Sequence, residues 1–244
     1  MSTPVNSTKL LDIQRLSKSF GGVTALRGVT AHSFQGETLG MIGPNGSGKT
    51  TFVNIVTGHV RSDAGYLMLA GVDIAGMRPN ELAAAGLCRT YQAVRVFSAL
   101  TTRHNIDNAR LLLNHRGLDS AELREIIEWL RLDTSLDQEA GSLTLFEQRR
   151  LELLMRLVLK PQLIMLDEPV GGLAVTEVSE MITLLQQLKS RCSIFVIEHT
   201  MRVIRELADR VIVLIAGQKI ADGPPAEILQ NQRVIQEYLG TAHA

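Results

Sequence analysis

The segment Gly43-Pro-Asn-Gly-Ser-Gly-Lys49-Thr50 restricts what this chain can fold into more than any other. It follows the apolar run Leu39 to Ile42 and precedes a helical pattern that begins after Lys49. The spacing G-x-x-x-x-G-K-[ST], set between a strand and a helix, is a phosphate-binding pattern. Glycines let successive backbone N–H groups converge on a phosphate chain, and the start of the helix adds a favourable dipole. Lys49 brings a cation to the β and γ phosphates, and the Thr50 hydroxyl is a ligand for Mg2+. Gly43, Pro44, Asn45, Gly46, Ser47, Gly48, Lys49, Thr50 and Thr51 are the expected phosphate contacts.

Hydrophobic periodicity divides the rest of the chain. From Leu10 to Tyr66, short apolar runs broken by Gly21-Gly22, Gly36 and the glycine-rich loop predict strands and turns. From about Ala99 to Leu159 the pattern is helical, with Leu123, Ile126, Ile127 and Leu130, and again Leu151, Leu154, Met155 and Val158, on single faces. After Pro161, buried-strand runs return at Leu163 to Leu166, Ile194 to Ile197 and Val211 to Ile215, with a helix carrying Val178, Met181, Ile182 and Leu185 between the first two. Strands alternating with helices imply a parallel sheet.

At 244 residues, 45% hydrophobic and 20% charged, the chain has the makings of one large domain with an inserted subdomain, and disorder or coiled coil is excluded for the whole. Its 25 basic and 25 acidic residues cancel, so no global field draws it to nucleic acid or an anionic bilayer. Cys88 and Cys192 are too few for a disulfide framework or a zinc site and are expected in the core, as in a reducing compartment. Met1 to Lys9 lacks the pattern of a secretory signal and reads as a polar terminus. The longest apolar runs, such as Val211 to Ala216, fall far short of the ~20 residues that cross a bilayer. Work at a membrane would require other chains as anchors.

A second chemical feature supports the first. Leu163-Ile-Met-Leu-Asp167-Glu168 is a buried strand ending in two carboxylates whose side chains point in opposite directions. Asp167 is suited to the Mg2+ shell, and Glu168 to polarising a water that attacks the γ-phosphate.

In the order of these motifs the chain resembles the nucleotide-binding subunits of ABC transporters over nearly its whole length. The resemblance implies an α/β fold: a RecA-like P-loop NTPase core, an N-terminal antiparallel β subdomain and an inserted α-helical subdomain. One such domain is expected over residues 10–240, with 10–92 and 160–240 as core and β subdomain and about 93–159 as helical subdomain. In Arg89-Thr-Tyr-Gln92, Gln92 matches the Q-loop glutamine, which serves both the metal and the chemistry; in Val196-Ile-Glu-His199, His199 matches the switch histidine. Phe20 matches the aromatic that stacks on adenine. ATP and Mg2+ are the implied cofactors, with Lys49, Glu168, Gln92 and His199 catalytic and Thr50, Gln92 and Asp167 at the metal.

Within that family the chain looks like ATP-binding subunits of importers for branched-chain amino acids, urea and short amides. Phe20-Gly-Gly-Val-Thr-Ala-Leu26, Arg89-Thr-Tyr-Gln92 with Arg95-Val-Phe97, and Val234-Ile-Gln-Glu-Tyr-Leu-Gly240 carry this likeness. It implies a second ATPase subunit in a heterodimer or homodimer, two integral-membrane permease subunits, indirectly a periplasmic solute-binding protein, and a peripheral location on the cytoplasmic face of a bacterial inner membrane. The alternatives are a weakly hydrolysing regulatory subunit of such a complex and a non-transport ABC ATPase, and the compact neutral chain lacks the extensions common in the latter.

Two segments depart from the family pattern. The signature loop, which reaches the partner's γ-phosphate, here reads Leu143-Thr144-Leu145-Phe146-Glu147. Thr144-x-x-Glu147 forms a capping box for the following helix. A phenyl ring at Phe146, where the family has glycine, is expected to obstruct close backbone approach to phosphate. After the acidic strand, Ala174 stands where the family carries an acidic or amide residue that couples the two ATP sites. An asymmetric pair is the expectation, with a competent site on this chain's P-loop and a poor one opposite.

Overall fold

The computed structural model describes residues 8–111 and 118–239. Most of the polar stretch before Thr8, residues 112–117 within the helical region, and Gly240 at the end of the carboxy-terminal motif lie outside the described residues. Two long strands, β1 (Lys9–Phe20) and β2 (Val23–Phe34), form a hairpin, followed by β3 (Thr38–Ile42) and α1 (Lys49–Val56). Then come β4 (Ala64–Leu69), β5 (Val72–Asp73), α2 (Pro79–Ala84) and β6 (Leu87–Arg89). Helices α3 (Thr102–Leu111), α4 (Ser120–Trp129) and α5 (Leu145–Leu157) lead to β7 (Leu163–Asp167), α6 (Val175–Leu188), β8 (Ser193–Ile197) and α7 (Met201–Leu207). The chain closes with β9 (Arg210–Ile215), β10 (Gln218–Gly223), α8 (Pro225–Ile228) and α9 (Gln232–Val234), the last running into a π-helical turn over Ile235–Leu239.

The strands make two sheets. β2-β1-β4-β5 is antiparallel, and β10-β9-β3-β8-β7-β6 is parallel except for the β9–β10 hairpin. Strands β3, β7, β8 and β9 of the second sheet are buried on both faces, which is why they read as nearly unbroken hydrophobic runs. Alternation sends Leu39, Met41, Met165, Phe195 and Ile197 into a core shared with α1 and the antiparallel sheet. Ile42, Ile164, Leu166, Ile194 and Val196 pack instead with the helical region. Helix periodicity holds as expected: Leu151, Leu154, Met155 and Val158 are all buried, as are Met181, Ile182 and Leu185. Both cysteines are buried and unpaired.

The β9–β10 turn fastens the two sheets to the glycine-rich loop. Ala216 and Gly217 both have positive φ, 44° and 76°, the requirement of a tight I′ hairpin turn. Gly217 N–H donates to Ser47 O at 2.9 Å, while Gly217 O accepts from Arg27 N–H at 2.8 Å. No side chain fits at that turn, because a Cβ on Gly217 would lie 2.6 Å from Ala25 O. Gly217→Ala is therefore expected to lose about 1–3 kcal/mol of stability. Urea denaturation checks it, and an unchanged midpoint would mean that this turn does not anchor the loop.

Candidate functional site

Parallel pairing brings the motif residues to one edge. β8 lies between β3 and β7, and both Met41 and Asp167 are level with Ile197. The loop after β3, His199 after β8 and the carboxylates ending β7 thus emerge side by side at the carboxyl ends of the strands, where α/β sheets bind ligands.

The phosphate loop offers a cradle for an anion. Gly48, at φ 102°, is the N-cap of α1; no side chain caps the helix and its first turn contains no acid. The positive end of the helix is uncompensated, and the first-turn N–H groups await an external acceptor. The loop's carbonyls, by contrast, are engaged. Lys49 Nζ donates to Gly43 O at 2.6 Å and Pro44 O at 3.0 Å. Ser47 N–H donates to Pro44 O and Phe52 N–H to Gly48 O. Ser47 Oγ is buried without a partner, an orphaned polar atom that an entering phosphate oxygen could satisfy. Partial burial lowers the Lys49 pKa, against the pull of the Glu168 and Asp167 carboxylates. Thr50 is exposed.

Asp167 and Glu168 have different neighbours, as their alternation on the strand requires. Asp167 Oδ2 accepts from Arg89 Nη2 at 2.7 Å. Glu168 Oε2 accepts from Gln92 Nε2 at 2.8 Å, and Glu168 Oε1 is 3.6 Å from His199 Nδ1. Gln92, Glu168 and His199 therefore converge. Glu168 itself sits at φ 50°, a left-handed conformation that a non-glycine residue adopts only at a cost. Phe20 stands apart on the antiparallel sheet, 48% exposed, with the Lys18 ammonium 5.2 Å from its ring centroid.

Several polar residues that support this cluster went unread in the sequence because they are charges within apolar runs. Arg149, on α5, donates through Nη2 to Gly171 O at 2.6 Å and Gln92 O at 3.3 Å. Glu152, one turn on and fully buried, accepts from the N–H groups of Tyr91 and Arg95. Glu198, also buried, accepts from Val170, His199 and Thr200 N–H. A charge adjoining or interrupting an otherwise buried pattern was the available signal.

The signature segment differs from expectation. Thr144 caps α5, its Oγ1 accepting from Glu147 N–H while Glu147 Oε2 accepts from Thr144 N–H, so the capping box forms. The ring of Phe146 does not stand on the surface: it is 7% exposed, packed in the helical core with Arg150 at 4.6 Å. Helical geometry explains the correction. Phe146 lies on the face that carries Arg150, one turn later, inward. Leu145 is the outward residue, 39% exposed and beside Gly172. The side chain that this segment presents outward is thus Leu145 and not Phe146. Ala174 is exposed at the start of α6, its N–H bonded to Glu177.

Comparisons with known proteins agree with this geometry. Residues 26–171 match the ABC transporter family, and residues 218–244 match the family described as branched-chain amino acid ATP-binding cassette transporter. The chain is similar to the high-affinity branched-chain amino acid transport ATP-binding protein BraF of Pseudomonas aeruginosa, at 34% identity across 97% of this chain and 100% of that protein. It is similar to LivG of Escherichia coli K12, of the same description, at 33% identity across 97% and 100%. A solved ATP-binding cassette of an ABC transporter in its ADP conformation superposes with a TM-score of 0.85, at 27% identity across 96% of this chain and 100% of that one. A nucleotide-free cassette gives 0.82, at 26% identity across 93% and 98%.

Two expectations follow from the supporting residues. Burial pushes the Glu152 carboxyl up to about 7, against Arg156, the Arg95 and Tyr91 N–H groups and Arg149. The stability this gives is full below the ordinary value of 4.5 and is lost as pH rises from there to about 7. Glu152→Gln removes that slope, so relative to wild type it should gain about 1–3 kcal/mol between pH 5 and pH 8. Urea denaturation at both values tests this, and a constant difference would count against titration of Glu152. Phe146→Gly should cost about 3–5 kcal/mol by emptying the core, whereas Leu145→Gly should cost about 1 kcal/mol and alone raise ATP turnover in an assembled dimer.

Proposed function

The chain belongs to the ABC transporter ATP-binding family, and on that premise we propose that it is the ATP-hydrolysing subunit of an importer for branched-chain amino acids or related small amides. The observation that carries this is the convergence of Gln92, Glu168 and His199 beside an uncapped helix start. Amides of the phosphate loop and Lys49 would hold the phosphate chain, with the exposed ring of Phe20 stacking on the base. Glu168 would accept the proton of an attacking water, Gln92 fixing its carboxylate through Oε2 and His199 approaching the other oxygen.

Among the described residues no three His, Cys, Asp or Glu side chains group as a metal site. A magnesium ion would therefore be shared by Thr50, Asp167 and the nucleotide's own phosphates, with Gln92 at its margin. When bound it would neutralise charge developing between the β and γ phosphates.

A second ATPase subunit would complete the pair, with two membrane permeases and, indirectly, a periplasmic binding protein. Among the described residues no helix is long and apolar enough to cross a membrane, and we assign the chain a peripheral place on the cytoplasmic face. The outward Leu145 and the missing polar side chain at Ala174 favour an asymmetric dimer, in which this chain's P-loop works and the opposite site hydrolyses poorly. They also favour a second reading, a nucleotide-gated subunit with little turnover. Glu168→Gln separates the two. Hydrolysis by the assembled complex should fall at least about 100-fold with ATP binding kept. Equal turnover in wild type and variant would select the gated subunit instead.

A further inference from the structure

Arg89 ends β6 three residues before Gln92 and is 9% exposed. Its guanidinium joins two walls of the nucleotide site. Nη2 donates to Asp167 Oδ2 at 2.7 Å, and Nη1 donates to Asn54 Oδ1 at 2.7 Å and Thr57 Oγ1 at 3.1 Å, on and just after the helix that begins at Lys49. The ring of Tyr91 packs 4.9 Å from the guanidinium carbon, and a chain of contacts returns from Tyr91 Oη through His59 to Thr57 Oγ1. The guanidinium therefore has little freedom to leave.

This matters because the partner it grips is the carboxylate best placed to share a divalent cation. Arginine remains charged at any physiological pH, and a fixed cation against Asp167 lowers the negative potential that a metal would meet there. Its bond is to Oδ2 alone, so Oδ1 would remain for a metal. We propose that Arg89, by its fixed charge against Asp167, weakens the site's hold on a metal–nucleotide complex, so that spent nucleotide with its metal can leave. This rests on the ATPase reading above. An ion pair that served folding alone would leave the metal's share of nucleotide affinity unchanged.

The test is ADP binding by isothermal titration, in EDTA and in excess Mg2+, for the full-length chain. The ratio of the two dissociation constants reports the metal's share, independently of turnover. Arg89→Met should increase that ratio by about tenfold through loss of the compensating charge, while Arg89→Lys, which keeps the charge, should stay near wild type. Arg89→Gln is the second neutral variant should the methionine protein fail to fold, and it should behave as the methionine protein does. An unchanged or smaller ratio in the folded neutral variant overturns the role of Arg89 while leaving the ATPase reading intact. Wild-type protein that binds no ADP under either condition overturns both.

Discussion

A loop that offers most of its amide hydrogens to a ligand has few left with which to hold itself together. Its shape must then be fixed through its carbonyls, and each structural layer around the site serves that constraint. Gly43 and Pro44 accept from Lys49, Pro44 also from Ser47, Ser47 from the β9–β10 turn and Gly48 from the first paired amide of α1. The donor on Ser47 comes from the far end of the sequence, and the turn that supplies it is fastened to β2. The loop is thus built by the assembled sheets, and neither the glycine motif nor its strand could shape it alone. Backbone groups that lack a partner in the protein are costly when buried, so this arrangement also favours occupancy by an anion.

Around that loop the structure brings distant segments to a few carbonyls and carboxylates. Arg149 draws the loop at Gln92 and the segment at Gly171 toward one helix, and Glu152 holds the backbone on either side of Gln92, at Tyr91 and Arg95. The same helix begins at Thr144, next to the outward Leu145. A partner pressing on that helix start would therefore act on a rigid rod already tied to the loop bearing Gln92.

Much of this was legible in the sequence, for physical reasons that differ from element to element. The parallel strands could be read because burial on both faces leaves unbroken apolar runs. The helices could be read because Leu151, Leu154, Met155 and Val158 repeat at the helical period. The grouping of Gln92, Glu168 and His199 was implied by the family resemblance, and the parallel sheet produces it by gathering its carboxyl ends. What escaped was orientation and compensation. Phe146 was read as a surface obstacle because its position in the motif was known and its helix face was not. Arg89, Arg149, Glu152 and Glu198 escaped because a buried charge is tolerated only through partners remote in sequence, and no local pattern reports those partners.

Glu168 holds its carboxylate on a backbone bent to φ 50°. A left-handed twist costs a non-glycine residue about 1–2 kcal/mol, which glycine would not incur. The fold and the chemistry therefore rank residues at this position in opposite orders. Selection for thermal robustness alone would drift toward glycine here and discard the proton acceptor proposed above. Stability-driven engineering of this protein would have to spare position 168, because there the less strained chain loses the proposed proton acceptor.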